Sequence, residues 1–276
     1  MSLSVNTNVA SLTAQNALQS AQSSLNTSLQ RLSTGLQINS AGDNPAGLVT
    51  SSLQASQISG LQTSIQNIQT GSSLAQTADS SLANINNLLV QIRTLASNSA
   101  NTATQSTASL AANQASATAL LSSIDSIAST TKFGTVNLLD GSFTNAQFQT
   151  GAFSGQTATL TIGAADSTTL GVNSIDLTTA AGASSALTAI DAAITTIASD
   201  RGGIGSFITG TLNATQSNNQ SQLTNLQAAN SLLTDTNYQT EIANYTSESI
   251  RQQAASTVLG FANQANSSIV DLLKNA

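Results

Sequence analysis

Leu61, Ile65, Ile68, Ala75, Leu82, Leu89 and Ala96, with Ile85 and Ile92 between them, keep a helical rhythm through the first half of the chain. A helix of about forty residues is about 60 Å long, which is more than a globular domain asks of one helix. The chain is therefore expected to build an elongated helical body.

The two ends carry the same signature in narrower form. Leu18, Leu25 and Leu32 interleave with Leu29 and Leu36, and Val5, Val9 and Leu12 extend the seam toward the N-terminus. Between Ile242 and Leu273, Ala254, Phe261 and Ser268 interleave with Val258, Ala265 and Leu272 in the same alternation of three and four. A one-faced helix is marginal in water alone, so the ends are expected to pair with each other or with copies of themselves. At this spacing Phe261 reads as core.

Between them, Ala108 to Ser129 forms a third helical stretch, with Leu110, Ala117, Leu120, Leu121, Ile124 and Ile127 on its apolar face. From residue 133 to about 180 the pattern turns to short hairpins: Asp140-Gly141 is a hairpin-type turn dipeptide, and Leu160 and Ile162 alternate with polar residues. Helical spacing returns at Ala186, breaks at Asp200–Ser206 (DRGGIGS), and resumes through Leu212, Leu223, Leu226 and Leu233. Without a P-loop lysine or a preceding strand, DRGGIGS reads as a turn or helix start, not a phosphate cradle. The expected fold class is mainly α: a long antiparallel helical rod or coiled coil formed by both chain ends, with a small β-hairpin region in the middle. The expected divisions are 1–44 and 235–276 as the two halves of an inner coiled-coil domain, 45–185 as the N-terminal part of a rod domain with the hairpins, and 186–234 as its C-terminal part.

Composition narrows the function. Charged residues are 7%, against roughly 25% in an ordinary domain. With a net charge of -6 and six Lys and Arg, no basic stripe exists for nucleic acid or anionic lipid. So weakly charged a surface lets many copies pack side by side, which suits a polymer. His and Cys are absent, which removes the commonest general base and the soft metal ligands. The carboxylates stand singly, Glu241 and Glu248 being the nearest helical pair. No catalytic residue, metal or cofactor is expected, and the chain reads as a non-enzyme. The first twenty residues lack the features of a secretory signal, and no stretch is expected to approach the roughly 18 apolar residues of a membrane span. Arg31 and Arg93, isolated in weakly charged helices, are either solvated or positioned for bidentate bonds.

VNTNVASLTAQNAL (5–18), SLQRLSTGLQINSAGDNPAGL (28–48), IRTLASNSAN (92–101), TKFGTVNLLDGS (131–142) and TDTNYQTEIANYTSESIRQQAASTVLGFANQANSSIVDLL (234–273) together resemble the bacterial flagellins. In TKFGTVNLLDGS, Gly134 and Thr135 replace that family's usual Asn and Gly. The resemblance implies a folded-back chain whose termini line a filament lumen, in a minimal form without large outer domains. It implies an extracellular homopolymer for swimming motility, unfolded export through the flagellar type III export apparatus, and partners in the cap, the hook-junction proteins and an export chaperone. A hook-filament junction protein of the same apparatus is the alternative; an enzyme in the middle segment or a lectin-like adhesin lacks the catalytic cluster or the aromatics it needs.

The resemblance also locates the patch read by the animal Toll-like flagellin receptor. There Gln91, Arg93, Leu95 and Ser116 stand in a pattern that has lost an Arg and two Glu, which implies weak or no recognition. Near Arg201, RGGIGSFITG keeps Arg201 and Gly205 and loses the family's Q-N-R. The lone proline lies in the stretch that leaves the first seam. There Gly35 and Gly42 supply backbone freedom, Asp43 or Asn44 caps the next helix, and Pro45 fits its first turn. Gly42, Asp43, Asn44 and Pro45 are expected to mark a boundary between two layers of an assembly.

Overall fold

The helices start where short polar side chains can cap them. Asn8 accepts a hydrogen bond from the Ser11 amide ahead of α1 (Val9–Thr34), and Asn44 accepts from Gly47 ahead of α2 (Pro45–Ala100). Ser106 caps α3 (Thr107–Thr130) and Thr179 caps α4 (Ala180–Ser206). Asn237 accepts from Gln239 and Thr240 ahead of α6 (Tyr238–Lys274). Each bond satisfies an amide that the first helical turn leaves free. The computed structural model describes residues 7–101 and 103–274, with side chains through residue 265; Val5 and the side chains of Ser268 and Leu272 lie outside the described residues.

The chain divides into two compact units, unit 1 (Met1–Ser56 with Asn225–Ala276) and unit 2 (Gln57–Thr224). The divisions between these compact units fall inside α2 and α5 (Ala214–Thr234). Unit 2 holds one continuous hydrophobic core. On α2 the expected seam faces it: Ile68, Ala75, Leu82, Ile85, Leu89, Ile92 and Ala96 are all 0% exposed. From α3 come Ala117, Leu121 and Ile124, from α4 Ala183, Ile190 and Ile197. Two antiparallel hairpins complete the unit: β1 (Lys132–Phe133) with β2 (Val136–Asn137), and β3 (Ala146–Gln149) with β4 (Thr157–Leu160), the latter pair in register Ala146 to Leu160. Ala158, Leu160 and Ile162 are buried in alternation as expected.

Three expectations change here. Asp140-Gly141 is not a hairpin turn: the β1–β2 turn is Gly134-Thr135, and the Asp140 carboxylate instead accepts from Asn137, from the Ser142 amide and from the Ser142 hydroxyl. DRGGIGS is not a turn either. Ala180–Thr234 is one 55-residue helix; DRGGIGS is α-helical within α4, and a π-helical segment, Phe207–Asn213, follows it. Burial of Ile204, Phe207 and Leu212 on the core holds the helix together despite its glycines. The same helix reaches a mean hydropathy of 1.2 over an 18-residue window, enough by length and composition to cross a membrane, where no such stretch was expected. Its Ala183, Ala186, Ile190, Ala193 and Ile197 are buried in the core of unit 2.

Candidate self-association site

In unit 1, α1 and α6 lie antiparallel: Asn8 Nδ2 donates to the Ala262 carbonyl (2.8 Å), Gln252 Nε2 donates to Gln22 Oε1, and Arg31 faces Glu241 across 3.9 Å. The face of α1 with least exposure is Ala14, Leu18, Ala21, Leu25, Ser28 and Leu32, an unbroken alternation of four and three. Leu18, Leu25 and Leu32 thus stand on the seam as expected, whereas Leu29 is 45% exposed.

Leu36 is off the helix altogether. Gly35, at φ 74°, ends α1 in a left-handed turn that no larger residue adopts easily, and its amide bonds the Arg31 carbonyl. Leu36 then forms an isolated bridge with Asp235, flanked by Gln37 N to Thr234 O (2.7 Å) and Thr236 N to Gly35 O (2.8 Å).

On α6 the least exposed positions are Glu241, Tyr245, Glu248, Ser249, Gln252, Ala255, Leu259 and Ala262. That face is mostly polar, and it excludes the apolar residues read from the sequence. Val258 (55%) and Phe261 (66%) are exposed, Ala254 and Ala265 with them, and Ile250 continues the stripe at 61%. Phe261 is therefore not core. These residues recur at four, four, three and four positions, so they form one stripe along one face of α6. Val9 and Leu12 are similarly exposed on α1. Unit 1 also contains Arg31 Nε, Gln54 Oε1, Asn230 Oδ1 and Thr236 Oγ1, buried polar atoms without a hydrogen bond.

The stretch from Gly42 to Pro45 divides its tasks. Asp43 does not cap α2; its carboxylate closes the preceding loop, accepting from the Ser40 amide (2.8 Å), the Asn39 amide (3.1 Å) and the Ser40 hydroxyl (3.0 Å). Those bonds, the Ser40 amide first, hold its pKa below the usual carboxylate range. Asn44 is the cap and Pro45 the first residue of α2. Gly42 has no left-handed backbone, so the freedom expected of it is not used. Gly47 is the glycine the sequence reading missed: a Cβ there would stand 2.6 Å from Ile38 Cδ1 and 2.7 Å from Asn44 Nδ2. Arg31, Ile38, Asp43, Asn44, Leu232 and Leu233 line a cavity of about 260 Å³ beside this stretch.

In unit 2, Gln91 and Leu95 on α2 and Ser116 on α3 share a groove of about 590 Å³. Arg93 is engaged elsewhere, with Nε donating to Asp191 Oδ1 at 2.6 Å and Nη2 to Oδ2 at 3.3 Å. The bidentate option is the one realised, within the chain, and it holds the Asp191 carboxyl below its ordinary pKa. Arg201 pairs in the same way with Asp79 on α2 (2.7 Å).

Residues 5–144 match the family described as the bacterial flagellin N-terminal helical region, and residues 187–273 match the bacterial flagellin C-terminal helical region. The B-type flagellin of Pseudomonas aeruginosa is 42% identical over 171 residues, 62% of this chain and 35% of its own. A flagellin of Halalkalibacterium halodurans is 33% identical over 248 residues, 89% of this chain and 90% of its own. Flagellin A of Vibrio anguillarum is 39% identical over 156 residues, 56% of this chain and 41% of its own. The chain thus spans less than half the length of the Pseudomonas and Vibrio relatives and nearly all of the Halalkalibacterium one.

Proposed function

The chain belongs to the bacterial flagellin family, and from that premise we propose that it is a structural subunit of the flagellar filament, polymerising with its own copies outside the cell to serve swimming motility. The observation that carries this is the division of the terminal seams. Leu18, Leu25 and Leu32 are used between α1 and α6, while Ile250, Val258 and Phe261 stay exposed in one stripe. A stripe of this kind is covered by association, and the nearly uncharged surface puts little repulsion in the way. Only residues 145–186 separate the two matched regions, which supports a minimal flagellin without large outer domains.

The cap, the hook-junction proteins, an export chaperone and the type III export apparatus are partners by family resemblance. Asn44 and Pro45 serve assembly through the break between α1 and α2. Recognition by the animal Toll-like receptor is weak or absent, since Arg93 is already bound to Asp191 and the groove beside it offers Gln91, Leu95 and Ser116 without the two lost carboxylates.

Filament fragments added to purified monomer test the proposal. Wild type is expected to elongate them into long tubes, and a Val258→Ser/Phe261→Ser variant with unchanged circular dichroism is expected not to. Equal elongation by the variant removes the stripe from the assembly; a wild type that adds only a short segment points to a junction protein.

A further inference from the structure

The buried positions of α2 keep one phase. Leu61, Ile68, Ala75, Leu82, Leu89 and Ala96 recur every seventh residue, each no more than 2% exposed. On α4, Ala183, Ile190, Ile197 and Ile204 do the same. Continued, that phase falls on Thr211 and Asn218, both exposed; the buried residues are Leu212 and Asn219, each one position late. The surplus residue is taken up in the π-helical segment Phe207–Asn213, where each hydrogen bond closes over one more residue than in an α-helix.

The glycines around it give a second, independent observation. A Cβ placed on Gly202, Gly203, Gly205 or Gly210 meets nothing within 4 Å, and none of the four has a left-handed backbone. Neither space nor dihedral angle calls for glycine there, so what glycine contributes is a softer helix. The soft segment sits between two fixed points. Upstream, Arg201 is held by Asp79; within the segment, the Phe207 ring lies 5.8 Å from that of Phe148. Downstream, Asn219 Nδ2 donates to Ser64 Oγ (3.0 Å) and to the Thr150 carbonyl (2.7 Å).

We propose that residues 202–213 form a slip joint, in which the π turn closes into an α turn and the helix beyond it advances by one residue along α2, away from α4, while α4 keeps its seat. In the slipped register Asn218 takes the place of Asn219 and brings the same amide to Ser64 and Thr150. Thr211 and Gln222 take the places of Leu212 and Leu223, which makes this the less populated of the two registers. The device gives the subunit two close-lying states of one long helix without unfolding its core.

Because the chain has no cysteine, disulfide trapping reads the registers without background. Ser64→Cys with Asn219→Cys is expected to close quickly, and Ser64→Cys with Asn218→Cys more slowly but to completion, circular dichroism remaining that of the folded protein. Adding Gly203→Ala and Gly205→Ala is expected to slow the 64/218 closure at least tenfold and leave the 64/219 closure unchanged. The proposal is overturned if the 64/218 pair stays reduced, or if the alanines leave its rate unchanged. It is overturned equally if a Ser64→Cys/Ser217→Cys pair closes as fast as 64/218, because the movement is then local unfolding.

Discussion

Unit 2 and unit 1 use the same kind of helix to opposite ends. In unit 2 the large aliphatic residues of α2, α3 and α4 vanish into one core, and Val90, Val136 and Phe153 are its only exposed large hydrophobics among the described residues. In unit 1 the buried residues are small or polar: Ala14, Ala21, Ser28, Ser51 and Glu241, with Leu25 and Ile38 the only larger apolar ones among those described. Its bulky residues, Val49, Leu53, Leu232, Ile242, Ile250 and Phe261 among them, face water. Each large aliphatic side chain fully buried contributes about 1.5–3 kcal/mol, so the stability of the single chain resides in unit 2. Unit 1 leaves its bulky apolar residues exposed, which teaches that an apolar seam in a sequence need not be the core of its own chain.

The largest expected effect tests that contrast directly. Ile85→Ala removes a fully buried side chain from the core of unit 2 and is expected to cost about 2–5 kcal/mol in chemical denaturation of the monomer. Phe261→Ala, on the exposed stripe, is expected to leave the same transition within about 0.5 kcal/mol. Equal losses would erase the distinction between the units.

Next in size is Asn219→Ala. Asn219 is 5% exposed and ties α5 to Ser64 on α2 and to the Thr150 carbonyl beside β3. Its loss leaves buried acceptors without this donor, and a cost of about 1–3 kcal/mol is expected. Hydrogen exchange should show the loss at residues 146–160 and 214–224. A change confined to unit 1 would contradict it.

What the sequence made legible follows the same division. The seam of α2 was readable because its seven-residue recurrence from Leu61 to Ala96 never slips, so these positions agree about which way is inward. The helix from Ala180 to Thr234 was not, because Gly202, Gly203 and Gly205 look like a turn and Leu212 is one position out of phase with Ile204. On α6 the sequence offers two stripes, and hydrophobicity selects Val258 and Phe261. The fold presents Gln252, Ala255 and Leu259 inward instead, where α6 packs on α1 and Gln252 reaches Gln22. The end of α1 was visible in Gly35, but the leucine spacing carried the reading past it to Leu36.

Asn44→Ala is expected to cost about 1 kcal/mol by removing the bond to the Gly47 amide. The loss should be local to unit 1, lowering amide protection at residues 45–50 and leaving unit 2 as protected as before. Elongation of filament fragments should fall more steeply than monomer stability, for Asn44→Ala and for Pro45→Ala alike. If both fall in proportion, the stretch serves folding alone.

The smallest effects are those of pH, and they too separate the units. Asp140, Asp166, Asp176 and Asp191 in unit 2 and Asp43 in unit 1 have pKa values held down, mainly by hydrogen bonds from neighbouring Ser and Thr or, for Asp191, from Arg93. The stability they contribute is present above the ordinary carboxylate value near 4 and is lost below it, as pH falls through their lowered folded values. Asp200 on α4 runs the other way, its pKa raised by burial. Its contribution is fullest below the unfolded value and is lost as pH rises through the folded one, so at neutral pH its charge is a small cost. Asp200→Asn is therefore expected to raise the neutral-pH melting temperature of unit 2 slightly. Asp43→Asn, with one carboxylate fewer in unit 1, should loosen residues 39–44 at neutral pH and leave that melting temperature where it was. If Asp200→Asn lowers it instead, the Asp200 carboxylate has a stabilising partner that outweighs its burial.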